Sequence, residues 1–106
     1  MAKFMIRARY SAEGLRGLQK DGGTGRQQAI SNALNAMGGK LDGLYFALGE
    51  DDILVICDMP DTISVAAIGI AVGASGLVHT TTIPLLTVEE VDKAVRKSVD
   101  YRAPGR

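Results

Sequence analysis

The chain has 106 residues, twelve basic against twelve acidic side chains, one histidine, one cysteine and five aromatics. That length suits a single domain, and balanced charge with few aromatics supplies neither the basic footprint nor the stacking platform of a nucleic-acid binder. Cys57, the lone cysteine, excludes an intrachain disulfide, and Arg7 and Arg9 fall where a secretory signal needs its apolar run, so a cytoplasmic protein is expected.

From Lys3 to Arg9, the apolar Phe4, Ile6 and Ala8 alternate with Met5, Arg7 and Arg9, the period of two of a half-buried strand. Ser11 is placed to cap a helix, with Glu13 in a first turn whose dipole favours a carboxylate. The helical stripe uses Leu15, Leu18, Ala29, Ile30, Ala33, Leu34 and Met37 and is interrupted at Asp21, Gly22, Gly23, Thr24 and Gly25. Thr24 followed three residues later by Gln27 reads as a capping box that restarts the helix, and Gly38 and Gly39 stop it.

Two strands follow, Lys40 to Leu48 and Ile53 to Met59, separated by Gly49, Glu50, Asp51 and Asp52. Three consecutive acids could form a metal or acid–base site. Glycine and aspartate are also the residues that a hairpin loop demands, and a turn is the expectation here. Pro60 ends the strand and Asp61 is set to cap a helix from Thr62 to Ala74. That helix is apolar almost all round, through Ile63, Val65, Ala66, Ala67, Ile68, Ile70, Ala71 and Val72. It is too short to span a bilayer, so burial on two sides is expected, the second side against another subunit.

A fourth strand, rich in β-branched residues, runs from Gly76 until Pro84 disturbs its ladder. Thr87 and Glu90 form a capping box for a last amphipathic helix carrying Val88, Val91, Ala94, Val95 and Val99. Residues 1–100 are read as one domain and 101–106 as a flexible tail.

The order strand, helix, strand, strand, helix, strand is the split βαβ pattern of an α+β, ferredoxin-like βαββαβ fold, here with an additional C-terminal helix. Both main helices then cover one sheet face. Strands two and three are apolar at both parities: Leu41, Tyr45 and Ala47 against Leu44, Phe46 and Leu48, then Ile53, Val55 and Cys57 against Leu54 and Ile56. Two-sided burial requires a cover for the open face, and a second copy supplies it most economically, giving a homo-oligomeric α+β barrel.

The run from Ala8 to Asp61, continued from Gly76 to Ala94, resembles the GYD-domain family of small, mostly bacterial proteins. The likeness includes the Met37-Gly-Gly-Lys-Leu41 break, the Tyr45-Phe-Ala-Leu-Gly49 strand end and the strand with three threonines. It implies a ferredoxin-like α+β fold akin to dimeric barrels and brings no established reaction. The family is named for a Gly-Tyr-Asp motif at the hairpin. Here Asp51 stands where the tyrosine is expected, while Gly49 and Asp52 match.

Candidate site residues are few. His79 has the chemistry of a general base and lies among Thr80, Thr81 and Thr82, but a lone strand histidine is also a packing residue. Arg7 and Arg9 share a face and, with Tyr45, could hold a small anionic ligand; the alternative is pairing with Glu50, Asp51, Asp52 or Asp58. The basic head supports either, since residues 1–26 carry six basic and two acidic groups and residues 27–75 one basic and six acidic. The Gly22–Arg26 stretch lacks the ending of a phosphate-binding loop, Cys57 reads as an inert core thiol, and no metal-ligand set or cofactor motif is recognisable. Two functions remain: a homo-oligomeric assembly or small-ligand-binding module, or a small-molecule enzyme of isomerase or monooxygenase type, its pocket between sheet and helices using His79, Arg7 and Tyr45.

Overall fold

A computed structural model describes all residues, 1–106. The elements in chain order are β1 (Ala2–Tyr10), α1 (Ala12–Ala36), β2 (Lys40–Phe46), β3 (Ile53–Met59), α2 (Thr62–Ala74), β4 (Val78–Leu85) and α3 (Val88–Val95). The four strands form one antiparallel sheet in the order β2-β3-β1-β4, consistent with a ferredoxin-like α+β fold.

Local chemistry sets all three helix starts and the end of α1. The Ser11 hydroxyl accepts from the Gly14 N–H at 3.0 Å, and Asp61 Oδ1 accepts from the Ser64 N–H at 2.7 Å. Thr87 Oγ1 accepts from the Glu90 N–H while Glu90 Oε1 accepts from the Thr87 N–H, closing the reciprocal box. Gly38, at φ 77°, turns the chain out of α1, and the Gly39 N–H donates to the Leu34 carbonyl at 2.8 Å.

Two sequence expectations need correcting. The interruption in α1 falls within the expected Asp21–Gly25 stretch, at Gly22, whose φ of 73° and ψ of 171° leave the helical region, and what fails is the cap expected at Thr24. Thr24 already lies inside the second helical run. The break thus depends on a backbone angle that glycine alone reaches cheaply. Pro84, in turn, does not end β4: it pairs with Phe4, which is tolerated because β4 is an edge strand.

The helix-facing side of the sheet holds the core. Phe4, Ile6 and Ala8 of β1, Ile53, Val55, Cys57 and Met59 of β3, Leu34 of α1 and Val65 of α2 are buried together. On β2 a bulge between Leu41 and Gly43 resets the parity, so Leu41 joins Leu44 and Phe46 opposite buried β3 residues, while Tyr45 falls opposite Leu54 on the other face. The grouping of Leu41 with Tyr45 by simple alternation is therefore wrong. Only ten of 106 residues are buried, and every residue of α3 is exposed. The radius of gyration is 16.8 Å, against about 13 Å for a compact domain of this length.

Candidate functional site

Strand register places the sequence-derived candidates on the sheet face turned away from the helices. Arg7 lies opposite Leu54 on one side and Thr81 on the other, Arg9 lies opposite His79, and Tyr45 lies opposite Leu54. Arg7 and His79 are thus diagonal neighbours on adjacent strands, and Tyr45 stands two strands from Arg7, roughly 10 Å across the sheet. The four residues share a face, but that face is not the wall of a pocket between sheet and helices. The expectation that such a pocket uses His79, Arg7 and Tyr45 fails because the helices cover the opposite parity. A hollow at the end of the sheet takes in Arg9 and His79 and leaves Arg7 outside.

Ion pairs occupy most of the charge on this face. Lys3 Nζ lies 2.9 Å from Asp42 and 3.0 Å from Asp58, which joins β1 to β2 and β3. The hydrogen bonds to Asp42 and then Asp58 raise the Lys3 pKa above its ordinary value, and the Lys3 hydrogen bond lowers that of Asp42. Arg7 Nε is 3.3 Å from Asp51 Oδ2, yet its N–H is not aimed at an acceptor, so the contact is an ion pair without a hydrogen bond. The basic head and acidic middle of the sequence do meet within one chain.

The hairpin acids divide by role. Asp52 is part of the fold: its N–H donates to the Ala8 carbonyl, its carbonyl accepts from the Ala47 N–H, and its carboxylate accepts from the Tyr10 N–H, each at 2.8 Å. Asp51 pairs with Arg7, and Glu50 is exposed. Three consecutive acids beside an apolar strand are therefore a turn with one anchoring carboxylate.

Between the polar row of Lys3, Asp42 and Asp58 and the Arg7–Asp51 pair runs an apolar row, Ile56, Met5 and Ile83, contributed by β3, β1 and β4. Leu54 and Leu85 flank it, and Tyr45 at its edge is 71% exposed. The outer side of α2 is a second apolar surface, with Ile63 82% and Ile70 73% exposed, while Val65 on its inner side is buried. These two surfaces are the two-sided apolar character anticipated from the sequence.

A cleft does lie between sheet and helices, where a pocket was expected, but with a different lining that includes Arg26 and none of His79, Arg7 and Tyr45. It has a volume of about 220 Å³, with a floor of Ile6, Ala8, Ile53 and Val55 and walls from α1 and α2. Its residues come from five elements, and no spacing along the chain announces such a gathering.

A family model for the GYD domain matches residues 4–95. The match spans most of the chain, and the protein belongs to the GYD-domain family. No curated protein and no solved structure matches it.

Proposed function

We propose that this GYD-domain chain is a homo-oligomeric binding module, at least a dimer, in which the open sheet faces of two copies pack together as an α+β barrel. The observation that carries this reading is surface. The chain exposes 7538 Å², against about 5,700 Å² for a compact monomer of 11.2 kDa. Hiding that excess on two copies, the exposed α3 included, would remove up to roughly 3,700 Å² from water, within the range of obligate homodimer interfaces.

Energetics decide how much of the surface must take part. Met5, Leu54, Ile56, Ile83 and Leu85 are already half-buried by their neighbours, so covering them gains at most about 1 kcal/mol each. Two copies then gain at most about 10 kcal/mol from the sheet face, comparable with the roughly 4–15 kcal/mol that association costs. Tyr45, Ile63 and Ile70, far more exposed, provide the surplus. The reading therefore uses both the open sheet face and the outer side of α2 as contacts between copies.

No helix is long and apolar enough to cross a membrane, and a cytoplasmic location accords with the single buried thiol. A second reading, a small-molecule enzyme of dimeric-barrel type, draws on the pairing of Arg9 with His79 beside an open hollow. His79 enters no ion pair within the chain, so an orienting acid would have to come from a second copy. Sedimentation equilibrium tests the oligomer. His79→Ala, assayed for turnover against a panel of small cyclic and phenolic substrates, tests the enzyme.

A further inference from the structure

The cleft between α1 and α2 is a largely apolar space, and one charged side chain reaches it. Arg26 lines it together with Ala29, Ile30, Ile68, Val72 and Thr80. The Arg26 Nε is buried without a hydrogen-bond acceptor, and its guanidinium takes part in none of the chain's ion pairs. Asp21 borders the adjoining hollow that Arg26 also touches, but the two do not pair. A buried N–H without an acceptor is costly, and native structures rarely keep one unless something satisfies it.

The backbone adds to the imbalance. Arg26 stands in the first turn of the helical run that restarts after Gly22, where the helix dipole is positive and a cation is disfavoured. Asp21 lies against this first turn, but no ion pair within the chain neutralises the Arg26 guanidinium. An anion placed against Arg26 would do so, its two oxygens accepting from the edge of the guanidinium. The remainder of the cleft offers aliphatic walls and the Thr80 hydroxyl.

We propose that this cleft is a binding site for a small apolar carboxylate, with Arg26 holding the carboxylate and the α1–α2 walls enclosing the hydrocarbon body. This rests on the binding half of the function proposed above and is independent of the assembly half. The volume sets the size of ligand: an apolar cavity of about 150 Å³ takes up benzene, so about 220 Å³ admits a compact ring or short chain bearing an acid group.

The test is isothermal titration of the full chain with octanoate and phenylacetate, each beside its neutral amide, with the oligomeric state of every sample measured by sedimentation. The expected result is saturable binding of at least one acid, binding of its amide weaker by about tenfold or more, and the same loss for Arg26→Gln with recovery in Arg26→Lys. A second variant, Val72→Phe, fills the cleft without touching the charge and is expected to abolish binding. Equal affinity for acid and amide, unchanged binding by folded Arg26→Gln, or no binding of either acid by the folded protein overturns the proposal. A folded monomer that still binds the acid contradicts the assembly reading alone, and an intact oligomer that binds neither acid contradicts the cleft alone.

Discussion

The Asp52 carboxylate accepts a hydrogen bond from the Tyr10 N–H at 2.8 Å, fastening the β2–β3 hairpin to the end of β1 from 42 residues away. The contact is partly buried, so removing the acceptor leaves a backbone donor unsatisfied. Asp52→Ala is expected to lower stability by about 1–3 kcal/mol, whereas Asp52→Asn, which keeps an acceptor oxygen, costs less. Asp51→Ala removes a half-buried ion pair that makes no hydrogen bond and is expected to cost less than Asp52→Ala, about 1 kcal/mol. Urea unfolding at one fixed protein concentration checks the order, and equal losses at both positions would contradict it.

Two glycines in the same helix have opposite expectations. A Cβ at Gly14 would collide with the Leu77 carbonyl oxygen, whereas one at Gly17 meets nothing within 4 Å. Gly14→Ala is expected to destabilise by about 1–3 kcal/mol through forced displacement of the backbone before β4. Gly17→Ala is expected to stabilise by about 0.4–1 kcal/mol, because alanine restricts the unfolded chain and favours helix. Thermal melts of the two variants beside the parent decide the signs.

Cys57 is fully buried in β3, and burial, with Asp58 beside it, pushes its thiol pKa up. Thiolate at neutral pH is therefore scarce as well as shielded. Labelling with an aromatic disulfide reagent is expected to proceed only as fast as the protein opens and to become immediate in denaturant. Rapid stoichiometric labelling of the native protein would show that β3 is accessible.

The helix caps make stability acid-sensitive. Hydrogen bonds from the Ser64 and Thr87 backbones hold Asp61 and Glu90 below their ordinary pKa values of 3.8 and 4.5. Each carboxylate therefore contributes stability that is fully present above its unfolded value and lost as pH falls through the lower folded value. Lys3 has the opposite sign: its folded pKa is raised above 10.5, so its contribution is present below that pH and lost above it. Asp61→Asn and Glu90→Gln are expected to flatten the decline of melting temperature below about pH 4.5 and leave the alkaline side unchanged. All three groups are exposed, so salt is expected to shrink their effects.

Readability in the sequence followed the range of the interaction. Ser11, Asp61 and Thr87 cap helices through contacts three residues long, and their roles could be read directly. The alternation of Phe4, Ile6 and Ala8 similarly fixed which side of β1 is covered. Parity fails on β2 because the bulge at Leu41 and Gly43 is invisible to alternation, and the Asp21–Gly25 stretch locates the α1 break but not its restart, because composition does not say which glycine takes a positive φ. The faces of Arg7, Arg9 and His79 followed from strand parity, but the pocket expected around them did not, since it required knowing which face the helices cover. The Arg26 cleft depends on five elements meeting in space, which no local pattern encodes.

Contacts between copies can be separated by surface. Ile56→Arg puts a charge in the middle of the apolar row on the open sheet face, and Ile70→Glu does so on the outer side of α2. Neither side chain belongs to the buried core, so both variants are expected to shift sedimentation toward the monomer, with far-ultraviolet circular dichroism falling only as far as the assembly dissociates. A parent-like sedimentation profile for Ile56→Arg would remove the sheet face from the interface.

The most direct measurement is sedimentation equilibrium of the unmodified protein across the micromolar range. The account predicts a dimer or larger species throughout, with loss of folded structure accompanying any dissociation on dilution. A single species of 11.2 kDa that keeps its secondary structure would contradict it.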